Sequence, residues 1–139
     1  MIEHIIFKCG HIEPKKPGKR YYKPQERLCF ACYRKQQLLE AEKRAAELGL
    51  PQLRGTPKQV AWALVIRNGF LGWTENVVYI LPQAAAEYAQ NLAAQALVSQ
   101  DSAKFWIEEE EKLRQDILDS ARQRYNIVVE ESNNDDVPF

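Results

Sequence analysis

Residues 9–32 read CGHIEPKKPGKRYYKPQERLCFAC, and this stretch decides how the chain is organised. It begins with CGH and ends with CFAC, so two pairs of ligand residues flank a basic loop. Three thiols and one imidazole are the ligand set of a tetrahedral structural zinc site. Gly10 allows the chain to reverse tightly between the first two ligands. The spacing predicts a zinc ion bound by Cys9, His11, Cys29 and Cys32.

The cysteine count favours a metal site over a disulfide framework. The chain has three cysteines, all in these two pairs, so pairing them would leave one over. His4 is the alternative fourth ligand, but its place among alternating apolar residues is typical of a strand side chain. Four protein ligands leave no coordination position for water, so the predicted ion is structural and not catalytic.

The chain around these ligands predicts a small β-hairpin and a helix. Residues 3–8 are typical of a strand, residues 12–20 of a Pro- and Gly-rich turn, and residues 20–23 of the returning strand. Such a hairpin buries little apolar surface, so we expect the metal to stabilise it by on the order of 10 kcal/mol. A helix is predicted over residues 33–48, with Gly49 as its C-cap. A hairpin followed by a helix that opens with Cys-x-x-Cys is a treble-clef-like order.

Local signals predict two helices in the middle of the chain. Thr56 is a typical N-cap and Pro57 a typical first helical residue, and this helix is expected to stop near residue 69. An alanine-rich helix is predicted from Pro82 to residue 99. Residues 70–81 are ambiguous, because their pattern fits a loop, a strand or a helical turn.

The last helix is predicted to be capped by Asp101 or Ser102 and to extend to about residue 125. It carries the clearest apolar stripe, which we expect to face the core and not to bind a ligand. The stripe consists of Trp106, Leu113, Ile117 and Ala121, joined by Ala103, Ile107 and Leu118.

Together these elements predict an α+β protein, in which an N-terminal zinc-bound β-hairpin precedes a bundle of about four helices. We expect a zinc-binding module over residues 1–35 and a helical domain over residues 36–126. Residues 127–139 are expected to form an acidic, flexible tail.

The composition is that of an ordinary soluble globular protein. Hydrophobic residues make up 45% and charged residues 27% of the chain, which is the usual balance. No apolar run approaches the length of a membrane span, and the first residues do not read as a signal peptide. Together with reduced thiols, this favours the cytoplasm of a bacterial host cell and no membrane partner.

The formal net charge of +0 hides a gradient along the chain. Basic residues exceed acidic ones by six in residues 1–35, and acidic residues exceed basic ones by six from residue 101 onward. Solvated faces of opposite sign are the plain interpretation. The sharper interpretation is two binding surfaces of opposite charge.

The sequence carries little that is typical of catalysis. It has no phosphate-binding glycine loop, no nucleophile elbow and no His-Glu-x-x-His helix. One of its two histidines is assigned to the metal. We therefore predict that the protein is not an enzyme.

Two stretches of the chain resemble a known group of proteins. Residues 53–67 read LRGTPKQVAWALVIR, and residues 102–108 read SAKFWIE. Both resemble motifs of small zinc-knuckle proteins from phages and mobile elements of Gram-positive bacteria, which usually have an aspartate where Glu108 stands. Proteins of this kind include anti-CRISPR inhibitors that bind a type II CRISPR effector nuclease. By analogy of size and metal site, the resemblance implies an inhibitor of such a nuclease.

Within these motifs most residues have a structural interpretation. Trp62 and Trp106 are predicted to meet in the core. Lys58, Gln59 and Arg67 are the residues left over for a partner.

The favoured functional hypothesis is a protein that binds and inhibits a nucleic-acid-handling complex, such as a CRISPR effector nuclease. Its acidic end would occupy a positively charged channel meant for nucleic acid. The predicted partner-binding residues are Glu108, Glu109, Glu110, Glu111, Asp116 and Asp119, joined by Glu130, Glu131, Asp135 and Asp136 of the tail.

Two alternatives remain open. In the first, the basic N-terminal segment binds nucleic acid, with Tyr21 and Tyr22 available for stacking. In the second, the helices dimerise through an exposed apolar strip around Phe70, Leu71 and Trp73. The phosphate contacts of the first alternative would come from Lys15, Lys16, Lys19, Arg20, Lys23 and Arg27, joined by Arg34 and Lys35.

Overall fold

The computed structural model describes residues 3–126, in which a two-stranded antiparallel hairpin precedes four α-helices. This confirms the predicted α+β class. The strands are β1 (His4–Ile6) and β2 (Ile12–Pro14). The helices are α1 (Phe30–Leu48), α2 (Pro57–Asn76), α3 (Gln83–Ser99) and α4 (Ala103–Arg124), with short 3₁₀ turns at Pro24–Glu26 and Val77–Tyr79. The tail expected at residues 127–139 lies outside the described residues.

The second strand of the hairpin lies earlier than predicted. β2 follows His11 at once, whereas residues 20–23, predicted as the returning strand, lead into the first 3₁₀ turn. The reason is a tight turn at Gly10, whose φ of 87° is in the left-handed region. Its N–H donates to the carbonyl of Phe7 over 2.8 Å, which reverses the chain within the first ligand pair. The first ligand pair is therefore the turn of the hairpin.

Helix α1 starts three residues before its predicted beginning, because the Cys-x-x-Cys segment forms its first turn. Cys29 is the N-cap residue, and Gly49 ends the helix with a φ of 64°, as predicted. Ala41 is buried on the side that packs toward α2. The expected boundary between residues 35 and 36 thus falls inside α1, and one helix connects the candidate metal ligands with the helical body.

Helix α2 begins as predicted and ends later. The side chains and backbones of Thr56 and Gln59 exchange hydrogen bonds in a capping box, which fixes the start. The predicted stop near residue 69 is wrong, because the helix continues to Asn76. Phe70 and Leu71 are buried, and their packing outweighs the low helix propensity of glycine. The exposed apolar strip predicted around these two residues is therefore absent, and Trp73 beside them is half-buried.

Trp106 of α4 is fully buried and anchors the core, as its place in the apolar stripe predicts. Its ring lies 5.2 Å from the ring of Phe70, and its indole N–H donates to the carbonyl of Gln100 over 3.0 Å. The prediction that Trp62 meets Trp106 in the core is wrong, because Trp62 is 61% exposed. The neighbouring Ala63 faces the core instead, and successive helical residues point about 100° apart.

The starts of α2 and α4 are tied together at one end of the bundle. Arg54 donates its backbone N–H to the carbonyl of Asp101 over 2.7 Å, and its own carbonyl accepts from Ala103 over 2.9 Å. The two segments form a parallel bridge just before the two helices, and α2 and α4 pack against each other. Ser102 is the N-cap of α4. Asp101, the other predicted cap, instead pairs with the Arg54 guanidinium.

Within residues 3–126, no helix combines the length and apolar character that crossing a bilayer would require.

Candidate metal centre

The four predicted ligands come together at the junction of the hairpin and α1. Cys9 and His11 lie on the hairpin turn, while Cys29 and Cys32 lie on the N-cap and in the first turn of α1. The backbone N–H of Lys8 donates to the carbonyl of Arg27 over 2.8 Å, which holds the hairpin beside the segment that enters the helix. The hairpin turn and the start of α1 therefore bring the two pairs of candidate ligands together.

The ligand atoms are at metal-site distances. The Nδ1 atom of His11 lies 3.2 Å from the Cys9 sulfur, 3.5 Å from the Cys29 sulfur and 3.2 Å from the Cys32 sulfur. All four ligand atoms lie within 4.8 Å of one another. With ordinary zinc–sulfur and zinc–nitrogen bonds, a tetrahedron has nitrogen–sulfur edges of about 3.5 Å and sulfur–sulfur edges of about 3.8 Å. The observed spacing accommodates a single ion at the centre.

Hydrogen bonding alone does not explain this cluster. One imidazole nitrogen is either a donor or an acceptor and cannot satisfy three sulfurs at once. A cation between them interacts with all four atoms. Cys9, Cys29 and Cys32 are free thiols and form no disulfide.

The pKa values of the thiols also indicate a bound cation. The backbone N–H of Cys29 donates toward the Cys9 sulfur over 3.5 Å and lowers the pKa of the Cys9 thiol to about 6. The neighbouring Cys29 thiol raises the pKa of Cys32 to about 11, with some help from burial. Several sulfurs so close together cannot all ionise unless a positive charge balances them. The donor set therefore fits a thiophilic divalent cation.

His4, the alternative fourth ligand, is not part of the cluster. It lies exposed on β1 opposite Pro14. Among the described residues, the cluster of possible metal ligands consists of the four predicted ones.

The acidic residues of α4 are divided between surface and interior. Glu108, Glu109 and Glu111 are exposed, as are Asp116 and Asp119 further along the helix. Glu110 is 7% exposed, and its carboxylate accepts from the Arg114 guanidinium over 2.9 Å. The prediction that Glu110 contacts a partner is wrong for that reason, while the other five carboxylates face solvent. The tail residues Glu130, Glu131, Asp135 and Asp136 lie outside the described part of the chain.

The six predicted basic residues of the N-terminal segment are exposed. Three of them are in surface ion pairs with an acidic neighbour: Lys15 with Glu3, Lys19 with Glu13 and Lys23 with Glu26. Lys16, Arg20 and Arg27 are in no ion pair within residues 3–126. Such exposed pairs are weak and leave the segment accessible to phosphates.

The aromatic residues near the metal ligands carry cations on their faces. Tyr22 is 65% exposed, and the charged groups of Lys23 and Arg27 lie 5.3 and 5.1 Å from its ring. Tyr21 is half-buried, and its hydroxyl accepts from the backbone N–H of Lys16 over 3.2 Å.

Sequence reasoning missed Phe30, which is 72% exposed with the Arg34 guanidinium 5.5 Å from its ring. In the sequence it is one of the two residues between the cysteines of Cys-x-x-Cys. The Cys-x-x-Cys motif itself predicts this exposure, because its two cysteines face the metal and the residues between them face away.

Three residues of the motif at 53–67 were predicted to be available for a partner, and two of them have structural roles. Arg67 is 2% exposed and donates to the carbonyl of Pro51 over 2.8 Å, so the prediction that it meets a partner is wrong. Burial lowers the pKa of its guanidinium. Gln59 is used in the capping box, and only Lys58 is exposed.

No protein-family model matches this sequence, and comparisons with curated proteins and with solved structures give no match.

Proposed function

We propose that Cys9, His11, Cys29 and Cys32 hold a structural zinc ion, and that the protein is a zinc-stabilised binding protein without enzymatic activity. The observation that carries the zinc assignment is the approach of three sulfurs to one imidazole nitrogen, each within 3.5 Å. Thiolates favour zinc over magnesium or calcium, which prefer oxygen ligands. Four protein ligands complete the tetrahedron, so the ion stabilises the fold and does not activate water.

Elemental analysis of the purified protein tests this assignment. We expect one zinc ion per chain in the parent protein and its loss in the His11→Ala variant. The chain offers a matched control in His4→Ala, which removes an exposed histidine outside the four-residue cluster and should retain the zinc. A parent protein without zinc, or equal zinc content in both variants, contradicts the proposal.

We further propose that the binding partner is a nucleic-acid-handling complex, in the manner of an inhibitor of a type II CRISPR effector nuclease. Five exposed carboxylates along α4 support this proposal, because they can compete with phosphates for a positively charged channel. They are Glu108, Glu109, Glu111, Asp116 and Asp119.

A DNA-cleavage assay with a purified type II effector nuclease tests this partner. We expect the protein to slow cleavage when it is added before the DNA, and to lose this effect when the five carboxylates are replaced by lysine. Cleavage that is unaffected by the parent protein, across effectors from several Gram-positive hosts, would rule out this class of target. Equal inhibition by the lysine variant would rule out α4 as the binding surface.

Exposed aromatic residues with adjacent cations favour a second candidate, nucleic-acid binding by the N-terminal segment. Tyr22 and Phe30 can stack on bases, while Arg27 and Arg34 neutralise phosphates. Fluorescence anisotropy with a labelled single-stranded oligonucleotide distinguishes this function. Binding should fall steeply as salt rises, and an Arg27→Ala/Arg34→Ala variant should reduce the slope by roughly one phosphate contact per residue. Absence of binding at low salt eliminates the candidate.

A further inference from the structure

A groove of about 580 Å³ lies between α2 and α4. Each helix lines it with residues at positions i, i+4 and i+7. On α2 these are Trp62, Ile66 and Gly69, and on α4 they are Ile107, Glu111 and Arg114. The segments that lead into the two helices are joined by the Arg54–Ser102 bridge, and both rows line the same groove. Each row is about 10 Å long at 1.5 Å per residue.

The groove is open to solvent, and its lining combines apolar side chains with charged ones. Trp62 is 61% exposed, and Ile66 and Ile107 are half-buried. Gly69 leaves a gap, because a Cβ atom placed there would meet nothing within 4 Å. A large exposed aromatic side chain beside an open gap is the kind of anchor that dominates the energy of protein interfaces. Within residues 3–126, nothing covers this surface.

The rim of the groove carries a net negative charge. Arg114 and the buried Glu110 pair with each other over 2.9 Å and cancel. Glu108 and Glu111 also line the groove, and both are exposed. A nucleic-acid strand would be repelled here, whereas a positively charged protein segment would be attracted.

We propose that this α2–α4 groove binds an amphipathic helix of the partner, with an apolar stripe flanked by lysine or arginine. A groove between two helices that combines exposed apolar side chains with an acidic rim matches an amphipathic helix with basic flanks. Trp62 and Ile107 contact the apolar stripe of that helix, while Glu108 and Glu111 pair with its basic flanks. The proposal rests on the proposed function, in which α4 faces a protein target, and it names the chemistry of the bound segment.

Two synthetic helical peptides with the same leucine stripe provide the probe, one flanked by lysine and the other by glutamate. Binding to the full-length zinc-loaded protein is measured by anisotropy of the labelled peptide at physiological salt. We expect the lysine peptide to bind at least about tenfold more tightly than the glutamate peptide, since the rim attracts one and repels the other. We also expect a blue shift of tryptophan emission on binding that disappears in the Trp62→Phe variant.

Matched variants separate the groove from the general acidity of α4. Glu108→Gln/Glu111→Gln should weaken binding of the lysine peptide by at least about fivefold, and Trp62→Ala by at least about tenfold. Asp116→Asn/Asp119→Asn makes the same charge change outside the groove lining and should alter binding by less than about twofold. All these residues are exposed, so folding is retained.

Equal affinity for both peptides, or an equal effect of the two charge-matched variants, would overturn the proposal. So would a dimer in sedimentation that protects Trp62 without any peptide, because a second copy would then be the occupant. The result is separable from that of the nuclease assay. A protein that inhibits cleavage but fails the peptide test loses only the groove, and one that passes the peptide test without inhibiting cleavage loses only the proposed target.

Discussion

Arg67 illustrates at the scale of one residue how a buried cation can organise a loop. It is 2% exposed, and its guanidinium donates to the carbonyl of Pro51, just beyond the end of α1. The negative end of the α1 dipole lies nearby and favours a positive charge there. Arg67 therefore holds the α1–α2 connection against α2. Its guanidinium takes the place of the water molecule that would otherwise donate a hydrogen bond to the Pro51 carbonyl.

We predict that Arg67→Ala lowers the free energy of unfolding by about 2–4 kcal/mol, because it removes buried packing and leaves the carbonyl of the half-buried Pro51 without this donor. Urea unfolding of the zinc-loaded protein measures this change. The matched control is Lys58→Ala on the same helix, which removes an exposed cation and should change the free energy by less than about 0.5 kcal/mol. Similar losses in both variants would show that Arg67 has no special structural role.

The thiols of the metal centre lead to a prediction about protons. At pH 7 the Cys9 thiol, with a pKa of about 6, is already mostly ionised, whereas the Cys32 thiol, with a pKa of about 11, is protonated. Zinc binds the thiolate, so its uptake must displace the Cys32 proton. Protons compete with the metal, and zinc affinity should therefore rise with pH and fall more steeply below about pH 6, where Cys9 also becomes protonated.

Isothermal titration calorimetry in buffers of different ionisation enthalpy measures the number of protons released. We expect at least one proton per zinc ion at pH 7, and fewer in a Cys32→Ser variant that still binds the metal. An uptake that releases no proton would show that Cys32 is not a ligand.

At the scale of secondary structure, α1 ends at a glycine, whereas α2 contains one in its interior. Gly49 ends α1 in the left-handed region with a φ of 64°. Gly72 lies inside α2 without positive φ, and a Cβ atom there would meet nothing within 4 Å. One glycine is required by the backbone conformation, while the other only weakens the helix that contains it.

We predict that Gly72→Ala raises the free energy of unfolding by about 0.5–1 kcal/mol, because alanine has the higher helix propensity. Gly49→Ala should lower it by about 1 kcal/mol, because alanine is strained at a left-handed C-cap. Thermal and urea unfolding of both variants measure these changes. A Gly72→Ala protein less stable than the parent would indicate that something packs closely against this position.

At the scale of the whole molecule, α1 connects two parts that are stabilised in different ways. The helical body has a buried core around Phe70 and Trp106. The hairpin has strands of only three residues, and most of its side chains are exposed. It is joined to α1 by the cluster of Cys9, His11, Cys29 and Cys32, and its Lys8 donates a hydrogen bond to Arg27 just before that helix.

We predict that removal of the metal releases the hairpin and the first turn of α1 while α2, α3 and α4 remain folded. Hydrogen exchange followed by mass spectrometry, with and without a chelator, measures this locally. Residues 3–32 should lose protection, and residues 57–124 should keep it. Loss of protection throughout the chain would mean that the helical body needs the metal as well.

Much of this architecture follows from local signals in the sequence. The four metal ligands, the capping box at Thr56, the C-cap at Gly49 and the apolar stripe of α4 were all predicted from nearby residues. The metal ligands are recognisable because their chemistry needs specific side chains at short spacing. Caps and stripes are recognisable because they depend on hydrogen bonds and periodicity within one helix.

The sequence by itself thus determined the candidate ligand set, the α+β order and the starts of α2, α3 and α4, since each depends on interactions between residues close in the chain. Only the tertiary structure decided that α2 continues past Gly69, that Trp106 and not Trp62 is in the core, and that Arg67 and Glu110 are buried. These outcomes depend on which distant helix packs against each face. A residue's solvent exposure is set by those long-range contacts, and one-dimensional periodicity does not specify them.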